Sequence, residues 1–388
     1  MRTFILEPSA IAIDRTHGAK SLLGHTKALS CAGIESVWLT NIHSEVENPD
    51  IHIYRVFAYT IYDDVRKKRG RLMRRLLAPI YRFRIASAAK RISQALVQEN
   101  VSTSDHVFIP TTDWLTFQAV LKAFKTPGLR SRIPALHLLI MYEQANWMTG
   151  GYPYQKLVEL ITTYPGKLFV YTETRRHAER LAQLIKQPVS SYPWPCFIEP
   201  RKPGNLPADP TICFVGGGRR DKGFGLIPGI VANFNDIAGQ NRARFIVQSP
   251  RPEDRLDGEV QQLKQYRNVQ LLNNLISEEE YQEYLQSCSV LVFPYLKNIY
   301  FARGSAIVNE SVASSIPFVC TRDTSLAEML EENNGKVAEG EQEFSQAIEN
   351  LLDNYSDYSL AARRMADKYR NRLLQSPLVM NIKKYPQT

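Results

Sequence analysis

The chain has 388 residues, of which 44 % are hydrophobic and 22 % are charged, and its net charge is +9. This composition excludes disordered and fibrous proteins, and the length favours two domains of about 150–200 residues each. No run of about 18 apolar residues occurs, so we expect no membrane-spanning helix.

The first half of the chain alternates apolar runs of strand length with helix-like stretches. The N-terminal run meets Glu7 and Pro8 too early for a signal peptide, so we interpret it as a first strand. Strands are predicted over residues 3–7, 36–42, 51–57, 106–111, 136–142 and 167–173, and helices over 18–32, 65–99, 113–124 and 174–185. This βαβ rhythm predicts a mostly parallel, doubly wound sheet.

Residues 188–210 contain seven prolines, which excludes a continuous helix or central strand there and indicates an interdomain linker. After it, strands are predicted over 211–215, 244–248, 269–272, 289–293 and 317–320, and helices over 223–235, 253–266, 277–286, 303–315, 325–333, 341–353 and 358–374. Ser277 and Glu280 have the spacing of a capping box. We therefore expect two α/β domains, 1–200 and 205–357, with the C-terminal helix 358–388 joining the first. Such domains predict a ligand cleft beyond the carboxyl ends of the strands.

Residues 300–310, Tyr-Phe-Ala-Arg-Gly-Ser-Ala-Ile-Val-Asn-Glu, connect a predicted buried strand to a helix. The loop contains Gly304 and Ser305, and the free amides and dipole of the helix N-terminus suit an anion such as a phosphate. Glu310 lies further along the same helix, where its carboxylate can accept hydrogen bonds from sugar hydroxyls. The stretch therefore predicts a site for a nucleotide sugar.

A second candidate segment follows the strand at 211–215, where three glycines precede Arg219 and Lys222. Glycine lets the backbone approach a ligand closely, and two cations can neutralise a pyrophosphate. The spacing fits neither a P-loop nor the dinucleotide G-x-G-x-x-G pattern. The alternative is a glycine-rich turn with solvated basic residues.

The motifs together resemble those of a known family. Gly-Gly-x-Arg-x-x-Lys-Gly, Val-Phe-Pro-Tyr, Arg-Gly-Ser-x-x-x-x-Glu and Ile-Pro-Phe-Val, in this order between Thr211 and Leu330, are similar to the pattern of retaining "group 1" glycosyltransferases. The resemblance implies the GT-B fold, with two Rossmann-like doubly wound domains facing a central cleft, an N-terminal acceptor domain and a C-terminal donor domain. It also implies a nucleoside-diphosphate sugar as substrate, with no cofactor and no divalent metal.

The resemblance implies roles for particular residues. Arg219 and Lys222 would bind the donor's phosphates, and Glu310 would hold the ribose; we take these three as the catalytic set. Donor-binding residues would also include Gly18 in the first half, where an ordinary strand–helix loop is the alternative. In the second half they would include the following group: Gly217, Gly218, Arg303, Gly304, Ser305 and Ala306. Ala302 stands where the family often has a first glutamate, and either Arg303, Ser305 and backbone amides replace that glutamate or turnover is lost.

Glu143 and Glu173 follow predicted strands, so both are candidates for contacts with the acceptor. The alternative for each is a solvated or capping role. His137 lies inside an apolar strand pattern, and we interpret it as a core histidine with its hydrogen bonds satisfied.

Residues 65–98 carry eleven Lys or Arg and no Asp or Glu. Apolar residues are interleaved with these charges, which is typical of a cationic amphipathic helix on anionic lipid. A solvated helix face and a nucleic-acid surface are the alternatives, but no nucleic-acid motif supports the latter. We expect an anionic membrane surface to bind through residues 65–91, and no nucleic-acid partner.

The favoured function is a retaining glycosyltransferase that builds a surface polysaccharide or glycolipid, with a glycan or lipid-linked acceptor. We expect a cytoplasmic protein, peripheral on the inner face of the membrane, and five scattered cysteines without a C-x-x-C pair fit a reducing compartment. A nucleotide-sugar epimerase on the same fold and a non-catalytic sugar- or lipid-binding relative remain as alternatives.

Overall fold

The computed structural model describes residues 1–12, 17–60, 71–141 and 154–385, with the side chains of 71–77 and 154 excepted. The chain divides into two compact units: Met1–Pro195 with Leu373–Thr388, and Cys196–Arg372. Residues 358–372 group with the second unit, where Lys368 and Arg372 form ion pairs with Glu331. In the division made from the sequence, they lie with the first domain. No helix of the described residues is long and apolar enough to cross a bilayer.

The first unit contains a parallel sheet of seven strands within the described ranges. The strands are β1 (Arg2–Glu7), β2 (Glu35–Asn41), β3 (Ile53–Phe57), β4 (His106–Ile109), β5 (Ala135–Ile140), β6 (Leu168–Thr172) and β7 (Val189–Ser191). The helices between them are α1 (His17–Cys31), α2 (Arg71–Gln98), α3 (Trp114–Ala123), α4 (Tyr154–Thr163) and α5 (Arg175–Ile185).

The second unit contains a six-stranded parallel sheet, again within the residues described. Its strands are β8 (Thr211–Phe214), β9 (Arg244–Gln248), β10 (Val269–Leu272), β11 (Val290–Phe293), β12 (Phe318–Thr321) and β13 (Gly335–Ala338). The helices are α6 (Ile227–Ala238), α7 (Asp257–Leu263), α8 (Glu278–Ser287), α9 (Lys297–Tyr300), α10 (Ala306–Ala313), α11 (Gly340–Asp353) and α12 (Tyr355–Leu374), and α13 (Pro377–Lys384) returns to the first unit.

Both sheets have the strand order of a doubly wound fold. The order is β3-β2-β1-β4-β5-β6-β7 in the first unit and β10-β9-β8-β11-β12-β13 in the second. The direction of winding therefore reverses between β1 and β4, and again between β8 and β11. Sheets of this kind bind ligands beyond the carboxyl ends of the strands at such a reversal.

The central strands are buried along their whole length, which explains why the sequence shows them as continuous apolar runs. Every residue of β4, β5, β8 and β11 is buried. Each unit has its own hydrophobic core, which includes Phe4 and Phe117 in the first and Phe214 and Phe234 in the second.

The structure confirms the predicted strands to within a few residues and corrects several other elements. The helix predicted over 253–266 is a 3₁₀ turn followed by α7, because Arg255 between them has a left-handed φ of 53°. The helix predicted from residue 303 begins at Ala306, since Ser305 is extended. The capping box of Ser277 and Glu280 at α8 is confirmed. Short strands β7 and β13 were not predicted.

A chain of buried hydrogen bonds crosses the first sheet and reaches α13. The His106 Nε2 atom is 2.8 Å from the Tyr385 carbonyl oxygen, and His106 Nδ1 is 2.9 Å from His137 Nε2. His137 Nδ1 is 2.9 Å from the Tyr171 hydroxyl, which accepts a hydrogen bond from Asn381 at 3.0 Å. The predicted core role of His137 is thereby confirmed.

The direction of every hydrogen bond in this chain follows from the acceptor at its end, the Tyr385 carbonyl. A carbonyl cannot donate, so His106 Nε2 carries a proton, and in a neutral ring His106 Nδ1 then accepts from His137 Nε2. His137 Nδ1 in turn accepts from Tyr171. Burial lowers the pKa of both histidines, so both are neutral at pH 7.

We predict that Tyr171→Phe destabilises the first unit by about 1–3 kcal/mol, because it leaves His137 Nδ1 and the Asn381 amide without their partner. Tyr164→Phe is the matched control. The Tyr164 hydroxyl oxygen is buried and, among the described residues, has no hydrogen-bond partner. Its loss should change the free energy of unfolding by less than about 0.5 kcal/mol. Urea denaturation measures both, and equal losses would contradict the role given to the chain.

Candidate functional site

The candidate site lies at the carboxyl ends of β8 and β11, at the reversal of the second sheet. Residues 215–223 follow β8, and residues 294–305 follow β11. The two segments touch: the Leu296 amide donates to the Asp221 carbonyl at 3.1 Å. A Cβ on Gly223, whose φ is +74°, would lie 1.8 Å from the Pro294 carbonyl oxygen. Only glycine permits this approach.

Gly216 brings the glycine-rich turn against the first turn of α10. Its φ is +92°, and a Cβ there would lie 2.8 Å from Ile307 Cδ1 and 3.5 Å from Lys222 Nζ. The amides of Gly216 and Gly217 donate to Gln248 Oε1 at 2.8 and 2.6 Å. Gln248 at the end of β9 therefore fixes the turn, and in this state the Gly217 amide is used by the protein itself.

The N-terminus of α10 presents amides to the same place. Ser305 precedes the helix in an extended conformation, with φ −143° and ψ 120°. Within the part of the chain that the structure describes, the amides of residues 304–307 make no backbone hydrogen bond, whereas the Val308 amide donates to the Ser305 carbonyl at 3.1 Å. Free first-turn amides and the helix dipole together favour an anion.

Arg219 is held by Asp221 and Tyr300. Its Nε and Nη2 atoms donate to the two oxygens of Asp221, both at 2.9 Å, and Nη2 also donates to the Tyr300 hydroxyl at 3.2 Å. Arg303 Nη1 lies 3.9 Å from Asp221 Oδ2, and its guanidinium is 5.3 Å from the centre of the Tyr300 ring. Burial alone would raise the pKa of Asp221, but the hydrogen bonds and charges of the arginines lower it.

Lys222 lies between the glycine-rich turn and the two arginines, Arg219 and Arg303. Its Nζ donates to the Gly216 carbonyl and lies 5.6 Å from the centre of the Tyr295 ring. Burial, followed by the charges of Arg219 and Arg303, lowers the pKa of Lys222 to about 7. Burial and neighbouring cations thus disfavour the charged form of Lys222. A bound anion would favour that form again, because its negative charge stabilises the ammonium group.

Glu310 is buried in α10, with 7 % of its surface exposed, and Tyr281 of α8 donates a hydrogen bond to its Oε2. Burial and then the charge of Glu310 hold the pKa of Tyr281 well above its ordinary value, so the phenol stays a donor. A carboxylate fixed in this way is suited to accept hydrogen bonds from hydroxyl groups. Ala302 is 4 % exposed and offers only backbone groups.

The structure thus brings seven of the predicted residues into one site. They are Gly217, Arg219, Lys222, Arg303, Ser305, Ala306 and Glu310. Gly304 lies in the loop before α10, and Gly218 forms an isolated bridge with Pro250.

Two of the predicted residues belong to the first unit. Gly18 lies in the first turn of α1, where a Cβ would meet the Ser9 backbone at 2.5 Å. Glu173 directly follows β6 and is 8 % exposed. Glu143 lies outside the described residues.

Four residues of the site were missed from the sequence: Asp221, Tyr300, Tyr281 and Gln248. Asp221 and Tyr300 stand inside the motifs, but nothing in their spacing indicates that their side chains meet. Tyr281 and Gln248 lie on other elements, and only the topology places them near the motifs.

Residues 209–354, within the second unit, match the family described as "Glycosyl transferases group 1". No curated protein sequence matches the chain significantly. Most of the second unit is therefore similar in sequence to that family.

Solved structures resemble the whole chain. Sucrose-phosphate synthase from Thermosynechococcus elongatus is 13 % identical, with 99 % of this chain and 98 % of that chain covered and a TM-score of 0.62. A trehalose-6-phosphate structure from E. coli bound with UDP-2-fluoro glucose is 12 % identical, with 99 % of both chains covered and a TM-score of 0.67. A glycosyltransferase from Rickettsia africae ESF-5 gives the same identity, coverage and TM-score. The expected two-domain Rossmann-like GT-B fold is confirmed.

We predict that Gly223→Ala destabilises the second unit by about 3 kcal/mol or more, because it adds a clash with Pro294 to a left-handed φ. Gly239→Ala is the control: its φ is +82°, but nothing lies within 4 Å of the added Cβ, so about 1 kcal/mol is expected. Urea denaturation compares the two variants. Similar losses would show that the close approach to Pro294 contributes nothing.

Proposed function

We propose that this protein is a retaining glycosyltransferase that moves a sugar from a nucleoside-diphosphate sugar to a hydroxyl group. The proposal rests on one observation. The cations Arg219, Lys222 and Arg303 lie in the same site as the free first-turn amides of α10 and the buried carboxylate of Glu310. A ligand with an anionic diphosphate and neighbouring hydroxyls matches this charge pattern. The similarity of residues 209–354 to group 1 glycosyl transferases supports it.

The roles follow from charge. Arg219, Lys222 and the amides at Gly304, Ser305 and Ala306 stabilise the diphosphate as negative charge develops on it, and Glu310 holds the ribose hydroxyls. The bond between the sugar C1 and the diphosphate oxygen breaks, and a bond from C1 to the acceptor oxygen forms on the same face. The acceptor's proton passes to the departing diphosphate, so this step needs no nucleophile from the protein.

The acceptor belongs to the finer part of the proposal. We assign it to a glycan or lipid-linked acceptor in surface polysaccharide or glycolipid synthesis, with Glu173 and Glu143 of the first unit as candidate contacts. Two of the similar structures carry sugar phosphates in their names, sucrose-phosphate synthase and the E. coli trehalose-6-phosphate structure. Hexose phosphates should therefore be compared with lipid-linked compounds as acceptors.

Two other functions would use the same donor site and give different products. An epimerase would convert the nucleotide sugar without an acceptor and release no nucleoside diphosphate. A non-catalytic relative would bind the donor and release nothing with any acceptor, for which the buried Ala302 is the motivating feature.

We predict that nucleoside diphosphates, with uridine diphosphate tested first because a similar structure holds UDP-2-fluoro glucose, raise the thermal unfolding midpoint. Arg219→Ala and Lys222→Ala should each weaken binding by about 10- to 100-fold in calorimetry, since each removes a charged donor. Arg242→Ala is the control, because it breaks ion pairs with Glu349 and Asp353 elsewhere in the same unit. The donor-site proposal fails if no nucleoside diphosphate stabilises the wild-type protein.

The membrane proposal rests on the exposed side of α2. Phe83 and Ile80 are 74 % and 48 % exposed, and Arg82 between them is exposed as well. Lys90 lies exposed two turns further along. Bulky apolar side chains beside cations fit an anionic lipid surface. Residues 65–70 of the basic stretch lie outside the described residues, as do the side chains of 71–77.

We predict that vesicles containing anionic lipid bind the protein more strongly than neutral vesicles, and that Phe83→Ser weakens this binding by about tenfold through the loss of apolar burial. Val97→Ser is the matched control on the same helix: Val97 is 51 % exposed but lies beyond the basic residues. Flotation assays measure all three proteins. Equal binding to both kinds of vesicle would rule out the electrostatic attachment.

A further inference from the structure

Asp221 lies at the point where the two segments of the site meet. Its Oδ2 atom is 2.9 Å from Arg219 Nη2, 3.2 Å from the Tyr300 hydroxyl and 3.9 Å from Arg303 Nη1. Its carbonyl oxygen accepts a hydrogen bond from the Leu296 amide. One residue of the turn after β8 is therefore joined, by backbone and side chain, to the segment after β11.

The contacts of Asp221 leave one edge of Arg219 for a ligand. The two hydrogen bonds to Asp221 use Nε and Nη2, and Tyr300 also accepts from Nη2. Asp221 does not engage Nη1, and 39 % of the Arg219 side chain is exposed. Because the Asp221 carboxylate binds the planar Arg219 guanidinium on one side, it fixes the direction in which the remaining N–H groups point.

The charge of Asp221 also acts on Lys222. Arg219 and Asp221 act on Lys222 from its own turn, Arg303 acts on it from the segment after β11, and Glu310 acts on it from α10. The two arginines disfavour the ammonium, whereas the two carboxylates favour it. Removing one of these carboxylates leaves Lys222 with two cationic neighbours and a single anion.

We propose that Asp221 is a positioning residue for the diphosphate end of the site: it holds Arg219 and Arg303 side by side and offsets their repulsion of Lys222. This inference rests on the proposed function, in that a nucleoside diphosphate binds there. The opposite role would be an internal competitor, a carboxylate that occupies Arg219 until the ligand displaces it. The geometry favours positioning, because both carboxylate oxygens accept from Arg219 and Oδ2 also accepts from Tyr300 of the other segment.

Asp221→Asn tests the proposal, with uridine diphosphate as the probe and calorimetry at pH 6 and pH 8. If the substitution lowers the pKa of Lys222 by about one unit, the charged fraction falls by about twofold at pH 6 and about tenfold at pH 8. The affinity should fall by about the same factors. The ionisation of the probe cancels, because both proteins are compared at each pH. Tighter binding, or unchanged binding at both pH values, would overturn the positioning role and support the competitor.

A second measurement does not depend on any ligand. In the ligand-free protein, NMR of ¹³C-dimethylated lysines gives the pKa of Lys222, with the signal identified from its loss in Lys222→Arg. It should lie lower in Asp221→Asn than in the wild type, and an unchanged value would overturn the proposal. Failure of the wild type to bind uridine diphosphate or any other nucleoside diphosphate would instead overturn the proposed function, so the two failures are distinguishable.

Two further variants separate charge from folding. Asp353→Asn removes a carboxylate at the end of α11 that pairs with Arg242, and it should leave the binding profile unchanged. Tyr300→Phe removes the hydroxyl shared by Arg219 and Asp221 but keeps every charge, so it should weaken binding equally at both pH values. If Asp221→Asn does not fold, Tyr300→Phe still tests the proposal. A loss of affinity that grows with pH in Tyr300→Phe would contradict it, because this variant changes the positions of the side chains and not their charges.

Discussion

The reversal of winding between β8 and β11 is the constraint on which the candidate site depends. These two strands are neighbours in the sheet, although the chain between them passes through β9 and β10. Their carboxyl ends therefore place residues 216–223 beside residues 294–305, which are about 80 positions apart in sequence. Neither segment forms a site alone: the first supplies the glycine-rich turn with two cations, and the second leads into α10, which supplies the helix amides and Glu310.

Gathering Arg219, Lys222 and Arg303 in one partly buried place costs stability. The lowered pKa of Lys222 reflects that cost, which comes first from burial and then from the charges of Arg219 and Arg303. Between pH 7 and the ordinary range of a lysine, the unfolded chain binds the extra proton, so Lys222 opposes folding at neutral pH. Asp221 and Glu310 offset part of the repulsion, and a bound diphosphate would offset the rest. The clustered cations are thus a local loss of stability within the second unit.

Much of the fold could be read from the sequence, and the reasons are local. Strands such as β8 and β11 are buried on both faces, so their apolar runs stand out, and Ser277 with Glu280 specifies the start of α8 within four residues. The cations and Glu310 stand in motifs whose composition shows their chemistry. The role of Asp221 could not be predicted, because its hydrogen bond to Tyr300 joins residues 79 positions apart. The role of Tyr281 could not be predicted either, because its contact with Glu310 depends on how α8 packs.

The chain of hydrogen bonds from Asn381 to Tyr385 has a consequence of its own kind. Histidine and tyrosine side chains in a row are the usual components of a path for proton transfer, but such a path must be able to reverse all its bonds together. Here the last acceptor is a backbone carbonyl, which can never donate a proton. The hydrogen bonds therefore have a single fixed direction. They attach α13 and Tyr385 to the first sheet, and they do not form a path for proton transfer.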